Sequence, residues 1–264
     1  MKSISLTGLA YASVPVFVAI LLLSVLKLGQ VRPLLIALVR LTLQITLLGF
    51  VLEWLFGTES PVIVGLIATL MLAVSAHTVG SRIPRGRWAL RVEAFLAIGM
   101  TAIFVFGISL KMTLELVPWY TPKVVIPLLG MILGNSVTAV ALAAERFESE
   151  LKADRDRVEL RLALGASSRQ AATPALRSAI RAALTPIINN MMIAGIVAIP
   201  GMTTGQLLAG AKVADAVRYQ VLIYFGITAT VALSTMILLF ARLRRYFTPW
   251  AQLRLEAIAG NEAV

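Results

Sequence analysis

Polar side chains interrupt the long apolar runs of this sequence at a few positions, and these residues are the ones able to do chemistry there. The set comprises Arg40, Gln44, His77, Glu93, Asn135, Asn189 and Asn190. In apolar surroundings such groups either hydrogen-bond packed helices to one another or line a polar path. Both interpretations stay open for Gln44 and Asn135. Asn189–Asn190 precede Met191–Met192, so one Asn and one Met of this run are candidates to line such a path.

The ionisable members of this set also allow simpler roles. His77 is the single histidine, and a lone histidine is either a hydrogen-bonded structural residue or a ligand. Arg40 and Glu93 pair with each other or with a neighbour, or Arg40 extends its guanidinium to the membrane surface. No group of residues has the spacing of a metal site, so the residues that bind any metal are unknown from the sequence.

The longest charged segment of the chain, Glu145–Pro186, lies between apolar runs. It holds eight of the 24 Lys and Arg residues and six of the 13 Asp and Glu residues. Apolar residues recur at helical spacing from Phe147 to Leu162, and opposite charges at i and i+4, such as Glu148–Lys152 and Arg155–Glu159, also favour a helix. The simplest interpretation is a solvated connecting helix.

A break inside this segment favours a more specific interpretation. Gly165 is expected to end the first helix, and Ser167 or Ser168 to cap a short second helix. Thr173, followed by Pro174, is expected to cap a further helix that continues into the next apolar run. A short helix at the end of such a loop is suited to carry motion from a soluble partner into the apolar helices.

Composition defines the class of protein. Hydrophobic residues make up 59% of the chain, charged residues 14%, and the mean hydropathy of +0.88 does not fit a soluble domain. A bilayer core of ~30 Å needs about 20 apolar residues per helix. Membrane topology explains the net charge of +11, so we expect a lipid bilayer and no nucleic acid as partner. The absence of cysteine excludes disulfides and thiolate metal sites.

Seven apolar spans predict an all-α, polytopic membrane protein, with a single transmembrane domain over residues 1–264. The expected spans are Leu6–Leu28, Pro33–Phe56, Pro61–Gly80, Ala89–Leu110, Val124–Ala144, Ala182–Ile199 and Ala216–Ala241. Between the fourth and fifth spans, Lys111, Glu115, Trp119 and Tyr120 fit a stretch at the membrane interface.

Basic residues predict the orientation of the chain. Most of the 24 Lys and Arg residues fall in loops on one side of the seven spans, including the segment 145–181 and the tail from Arg242. Positively charged loops stay in the cytoplasm. We therefore expect the N-terminus outside, the C-terminus in the cytoplasm, and the segment 145–181 in the cytoplasm.

Five blocks of sequence carry a family resemblance. They are Gly130-Met-Ile-Leu-Gly-Asn-Ser-Val-Thr138, Leu162-Ala-Leu-Gly-Ala-Ser167, Pro186-Ile-Ile-Asn-Asn-Met191, Pro200-Gly-Met-Thr-Thr-Gly-Gln-Leu-Leu-Ala-Gly210 and Ala216-Val-Arg-Tyr-Gln220. They resemble the FetB/YbbM family of ABC permeases of the bacterial iron-export type, which has plant relatives linked to aluminium tolerance. The segment from Glu159 to Ser167 also resembles the coupling-helix loop of ABC permeases, although the Leu-Pro pair expected after that glycine is absent.

The resemblance implies the permease subunit of an ATP-driven exporter of metal ions, iron in particular, in the bacterial inner membrane. It implies a homodimer bound to two copies of a separate ATPase. The chain has no G-x-x-x-x-G-K-[ST] loop, so we expect a non-catalytic subunit without a cofactor of its own, and ATP and Mg on the partner. Two alternatives stay open: an ABC permease for another substrate, such as a lipid or a nucleotide-sugar, and a channel or secondary transporter without an ATPase.

The functional residues expected from this interpretation fall into three groups. The ATPase-coupling residues are Glu159, Gly165, Ala166, Ser167, Ser168, Arg169 and Gln170. The substrate pathway comprises Gln44, Asn135, Asn189, Asn190, Met191 and Met192. A non-helical turn at the outer membrane edge, either a simple loop or an outer gate, comprises Pro200, Gly201, Met202, Thr203, Thr204, Gly205 and Gln206. Non-helical backbone at that depth is tolerated only against protein or a water-filled cavity.

Overall fold

A computed structural model describes residues 5–27, 29–57, 60–82, 87–108 and 118–254, and the regular structure within them is helical. In chain order the helices are α1 (Leu6–Val25), α2 (Val31–Phe56), α3 (Pro61–Gly80), α4 (Arg87–Ile108), α5 (Pro122–Ala153), α6 (Arg155–Ala163), α7 (Ser168–Ile193), α8 (Gly201–Leu208) and α9 (Val213–Tyr246). The prediction of an all-α, polytopic membrane protein is confirmed.

Within the described residues, six helices are long and apolar enough to cross a membrane: α1, α2, α3, α4, α5 and α9. They coincide with six of the seven predicted spans, and the bounds of α3 are the predicted ones. The remaining predicted span, Ala182–Ile199, falls largely within α7. That helix is not among the six, because charged residues occupy its first half.

The chain divides into two compact units, Met1–Thr58 and Glu59–Val264. In the first unit, α1 contacts α2, and the Ser5 hydroxyl caps α1 by accepting a hydrogen bond from the Gly8 amide at 3.1 Å. Leu55 is the buried residue of α2 among those described. A helix that exposes apolar side chains on every face is stable in lipid rather than in water.

In the second unit, α5 is the central helix and contacts α3, α4, α7 and α9. Its buried positions recur on several faces from Val125 to Leu151. Phe147 is fully buried and packs against Tyr246 of α9, with 6.0 Å between the ring centroids. The helix also continues to Ala153, well past the predicted end of its span at Ala144.

Contacts at one end of this unit fix the directions of its helices. The Tyr246 hydroxyl at the end of α9 donates to Glu148 near the end of α5, at 3.0 Å. Arg146 of α5 donates to the Ser178 hydroxyl in the first half of α7, at 2.9 Å. The helices α5 and α9 therefore run parallel, and α7 runs antiparallel to both. We call the end where α5 and α9 finish and α7 begins the charged end.

The start of α7 differs from the prediction. A short helix followed by a second helix from Thr173 was expected, but α7 is one continuous helix with Pro174 inside it. The Thr173 hydroxyl donates to the Arg169 carbonyl at 2.7 Å, so Thr173 is a residue of the helix body and not its cap. Ser167 and Gln170 already satisfy the first amides of the helix, which removes the need for a cap at Thr173.

The prediction of a non-helical turn over Pro200–Gln206 is wrong. Residues 194–200 are the non-helical ones, and α8 begins at Gly201 with Pro200 as its N-cap. The Thr204 amide donates to the Pro200 carbonyl at 3.1 Å. A proline just before the first turn is compatible with a helix. Proline lacks a backbone N–H, and an N–H at that position would have no hydrogen-bond partner within the helix. The predicted end of the preceding span at Ile199 is accordingly too late.

The predicted interfacial stretch is described only in part. Lys111 and Glu115 lie outside the described residues. Trp119 and Tyr120 form an edge-to-face pair with centroids 5.7 Å apart, and the Trp119 side chain is exposed. An exposed aromatic pair fits a membrane interface, and this role stays a prediction.

The antiparallel course of α7 predicts that the chain changes side of the membrane between α5 and α9. Since the chain has no cysteine, single-cysteine variants report this directly. We expect an impermeant maleimide to label Ser149→Cys at the charged end only from the cytoplasmic side, because basic residues concentrate there. Ala211→Cys, in the connection from α8 to α9, should be labelled only from outside. Labelling of both variants from one side would contradict a crossing by α7.

Candidate functional site

The tip, defined as Gly165–Gln170, begins with a helix-ending motif. The Gly165 amide donates to the Leu162 carbonyl and the Ala166 amide to the Arg161 carbonyl, both at 3.0 Å, which closes a Schellman motif at the end of α6. Gly165 has φ +89°, a left-handed conformation that residues with a Cβ rarely adopt. A Cβ there would meet nothing within 4 Å, so the need for glycine is conformational.

The tip continues directly into a capping box that starts α7. The Ser167 hydroxyl accepts from the Gln170 amide at 3.3 Å, and the Gln170 side-chain carbonyl accepts from the Ser167 amide at 2.8 Å. The predicted break at Gly165 and the predicted cap at Ser167 are both confirmed. Two adjacent helix-end motifs thus give this short turn a defined backbone.

Two side chains attach the tip and its flanking helices to the bundle. The Arg169 guanidinium lies over the Phe240 ring of α9, 5.4 Å from its centroid. Arg161 donates to the Ala171 carbonyl at 3.2 Å, which joins α6 to α7. The predicted pair Arg155–Glu159 forms on the exposed surface of α6 at 2.9 Å. The tip and its flanking helices are thereby attached to α7 and to α9.

A groove of about 520 Å³ separates the tip from the end of α9. Ser167 and Arg169 line one side, and Arg244, Phe247 and Arg254 line the other. The segment after α9 folds back, because the Arg254 amide donates to the Tyr246 carbonyl at 2.8 Å. The lining of the groove thus combines three arginines with the apolar residues Leu243, Phe247 and Pro249.

Exposed leucines add apolar surface beside the tip. Leu160 is largely exposed, and Leu164, which directly precedes Gly165, is 79% exposed. Bulky apolar side chains exposed together next to a basic groove are typical of a protein contact surface.

The sequence predicted a pair between Glu93 and Arg40 or a neighbour, and in the structure Glu93 pairs at the charged end with two arginines of α9 that the sequence did not identify. Arg242 of α9 is only 2% exposed, and its Nε lies 3.0 Å from Oε2 of Glu93 in α4, without the alignment of a hydrogen bond. Arg245 donates to the other oxygen of Glu93 at 3.4 Å. These pairs join α4 to α9. Glu93 inside one apolar run and Arg242 directly after another were the available signals, but nothing in one sequence links positions so far apart.

A second buried acid joins α5 to the same place. Glu148 accepts from Tyr246 and pairs with Lys152 at 2.8 Å, as the sequence predicted for Glu148–Lys152. The Arg242 guanidinium lies 5.5 Å from the centroid of the Tyr246 ring. Three helices, α4, α5 and α9, therefore meet through charged groups beside the tip.

One face of α7 is exposed along its length and carries polar side chains. We define this polar face of α7 by its exposed residues Pro174, Arg177, Arg181, Thr185, Asn189 and Met192. They recur every three or four residues over about 27 Å, at 1.5 Å per residue. The opposite face, which includes Ala179 and Ala183, is buried against the bundle.

The predicted pathway residues occupy different surroundings. Asn189, Asn190 and Met192 are exposed, whereas the Met191 sulfur accepts from the Thr228 hydroxyl at 3.3 Å. Asn135 is half-buried, and its side-chain amide donates to the Met131 carbonyl of its own helix at 2.8 Å. In the first unit, Gln44 is exposed and lines a shallow groove on α2 together with Arg40.

The predicted gate residues form most of α8. Thr203 is buried, and its hydroxyl donates to the Gln220 side-chain carbonyl of α9 at 3.0 Å. Gly201 and Gly205 have open space where a Cβ would stand. As for metals, the described residues contain no group of three or more His, Cys, Asp or Glu side chains, and His77 is exposed.

These features define a multi-pass, all-helical membrane protein whose charged helical segment contains a well-defined turn that contacts the bundle. The chain belongs to the uncharacterised protein family UPF0014, whose model matches residues 6–247. The resemblance drawn from the sequence motifs is thereby confirmed.

Three relatives illustrate the similarity. The chain is 38% identical over 215 residues to the UPF0014 membrane protein slr1647 of Synechocystis, covering 81% of this chain and 83% of the relative. It is 34% identical over 247 residues to the UPF0014 membrane protein YjkA of Bacillus subtilis, covering 94% and 97%. It is 29% identical over 258 residues to the probable iron export permease protein FetB of Escherichia coli, covering 96% and 97%. No solved structure matches the chain.

Gly165→Ala should destabilise the protein because alanine disfavours φ +89° even with open space around its Cβ. We expect the free energy of unfolding to fall by about 1–2 kcal/mol, measured by thermal unfolding in detergent. Gly201→Ala is the matched control, since it also meets no neighbour and has ordinary helical geometry. Equal melting temperatures for the two variants would show that the turn does not depend on its left-handed glycine.

Glu93→Gln should leave the buried Arg242 charge without its counter-charge. We expect a loss of about 3–5 kcal/mol of stability, as for other broken buried ion pairs. Glu159→Gln breaks the exposed pair with Arg155 and should cost less than about 1 kcal/mol. Thermal unfolding of both variants is the measurement. Replacing Glu93 and Arg242 together by leucine should restore most of the stability; a Glu93→Gln variant as stable as Glu159→Gln would contradict this role of the pair.

Proposed function

We propose that this chain is the membrane-spanning permease subunit of an ATP-driven ABC exporter that exports metal ions, iron in particular, across the bacterial inner membrane. The observation that carries the proposal is the tip, which two helix-end motifs hold at the start of the 26-residue helix α7. The name of the Escherichia coli relative supports the cargo and the direction. The segment 145–181 and the C-terminus face the cytoplasm, and the N-terminus faces outward.

Coupling takes place at the tip. A separate ATPase, which binds ATP and Mg²⁺, contacts the exposed Leu164 and the basic groove between Arg169 and Arg254. When the ATPase subunits close on ATP, they displace the tip. Because α7 is continuous from Ser168 to Ile193, the displacement moves the whole helix. The chain supplies no cofactor and no hydrolytic group, and acts by changing shape.

The substrate pathway lies between two copies of the chain. An exposed polar face of about 27 Å is unstable against lipid, because hydrocarbon cannot hydrogen-bond its side chains. In a homodimer, two polar faces of α7 enclose a central path instead. Asn189 and Met192 then face the cargo, whereas Met191 and Asn135 keep their bonds within the subunit.

The outer gate is formed by α8 and the non-helical residues 194–200. The Thr203–Gln220 hydrogen bond attaches α8 to α9, so that movement of α9 repositions α8. The left-handed Gly195, with φ +80°, lies where α7 ends and gives this connection its bend.

The proposal predicts ATP-dependent transport that requires the tip. The test is uptake into inverted vesicles that contain the chain and a co-purified Walker A ATPase, with a panel of metal ions. We expect uptake of iron only with ATP. Arg169→Glu combined with Gly165→Val should abolish uptake while ATP hydrolysis continues, because the tip no longer transmits closure to α7.

Arg157→Glu is the matched control, since Arg157 carries the same charge on an exposed part of α6 and should leave uptake unchanged. Uptake without ATP or without the ATPase would identify a channel or a secondary transporter and reject the proposal. ATP-driven uptake of a different solute would keep the class of transporter and replace its cargo.

A further inference from the structure

The polar face of α7 is electropositive where the helix begins, and we propose that the pathway takes its cargo as an oxyanion. Two sources share this chemistry: a metal ion enclosed by a polycarboxylate chelator, and a small molecule that carries phosphate. The inference rests on the proposed function in one respect, namely that the polar face of α7 lines the pathway.

The positive charge comes from Arg177 and Arg181. Both are exposed on the polar face, one turn apart, and neither guanidinium forms an ion pair or hydrogen bond with another described residue. The neighbouring residue Ser178 shows where these arginines lie along the bundle axis. Its hydroxyl forms hydrogen bonds with Arg146 and Glu150 of α5 at the charged end. A solute that enters from the charged end therefore meets these two arginines first.

Most acids at this level are already neutralised by other cations. Glu150 pairs with Arg146 at 2.7 Å, and Glu148 pairs with Lys152 at 2.8 Å. Glu145 is exposed and forms no ion pair with a described residue. On the polar face of α7 itself, Arg177 and Arg181 are the charged residues and no acid accompanies them, so this face keeps a net positive charge where it begins. Such a cleft concentrates anions and repels bare cations.

The side chains present are those that bind oxyanions. A guanidinium matches a carboxylate or phosphate group with two parallel hydrogen bonds. Further along the same face, the Asn189 amide forms no hydrogen bond with a described residue and has two donors to offer. The Thr185 hydroxyl is engaged, since it donates to the Arg181 carbonyl at 2.7 Å. Two guanidinium groups and one amide therefore line the entrance and the interior.

A second spanning helix repeats this chemistry independently. On α2 of the first unit, Arg40 and Gln44 are exposed one turn apart and line one groove together with apolar neighbours such as Ile36 and Val39. An arginine and an amide inside an apolar helix are costly unless protein, water or a ligand meets them. An arginine and an amide thus share an exposed face on each of two helices, one turn apart on α2 and further apart on α7.

Arginine and amide side chains on the polar face of α7 do not suit a bare metal cation. They do suit a metal ion that is transported inside an anionic complex. Iron prefers hard oxygen and imidazole donors. In a chelate, the polycarboxylate supplies those oxygens and leaves negative charge on the outside of the complex. The protein then needs only cationic and amide groups, which are the ones on the polar face of α7.

Binding to the purified chain without its ATPase tests the inference. The probes are ferric citrate, citrate alone, pyrophosphate and ferrous chloride, and the readout is the dissociation constant at low and high salt. We expect saturable binding of an anion that weakens with salt. In Arg177→Gln/Arg181→Gln the binding should weaken about tenfold or more, because charge-assisted hydrogen bonds are lost. Arg155→Gln/Arg157→Gln on α6 removes the same charge and should bind as the unaltered chain does.

The arms of the experiment separate the sources. Preference for ferric citrate over pyrophosphate assigns a metal chelate, and the reverse assigns a phosphate-bearing molecule. The proposal is overturned if no anion binds, if ferrous ion binds in their place, or if both double variants bind alike. Stabilisation by phosphatidylglycerol alone would assign the arginines to lipid headgroups and also overturn it. The binding assay contains no ATPase, so its result does not depend on ATP-driven transport. If the chain binds the anion but fails in the vesicle uptake assay, the proposed function is rejected and the anion site is kept.

Discussion

The packing of the helices at the charged end depends on one buried guanidinium, that of Arg242. Arg242 is withdrawn from solvent at the end of α9, where a cation is stable only beside an opposite charge. Glu93 supplies that charge from α4, and Arg245 shares the same carboxylate from a more exposed position. Tyr246 lies beside the guanidinium, and its hydroxyl donates a hydrogen bond to Glu148 of α5. Three helices are thereby fixed at one level, next to the place where α7 begins.

Helix α7 combines three features that elsewhere belong to separate elements. Its first residues form the tip, its buried alanines such as Ala179 and Ala183 pack closely on the bundle, and its opposite face is polar. Small residues on the buried face let α7 approach its neighbours closely, as in other membrane bundles. The polar face explains why hydropathy alone does not mark α7 as a span, although the contacts of its two ends place it antiparallel to α5 and α9.

Much of the fold followed from the sequence, because spans and helix ends are local signals. Apolar length identified six spans, and Gly165 and Ser167 marked the turn correctly. The predicted helix start at Thr173-Pro174 was wrong, although these residue types are typical of a helix start. The capping box of Ser167 and Gln170 places the start at Ser168 instead. Pro200 misled in the same way, since a proline before a helix and a proline in a loop look alike. The Glu93–Arg242 pair is a tertiary contact between distant positions, and local patterns do not encode it.

The central claim is that the tip is the surface through which a soluble ATPase drives this permease. Leu164→Cys, in a chain otherwise free of cysteine, places one reactive group on the exposed residue before the tip. The most direct measurement is bismaleimide cross-linking of this variant to the co-purified ATPase, with and without ATP. We expect a specific cross-link at Leu164→Cys whose yield changes with ATP, and none at Ala211→Cys. No cross-link at Leu164→Cys in an assembled complex, or equal yields at the two positions, would contradict it.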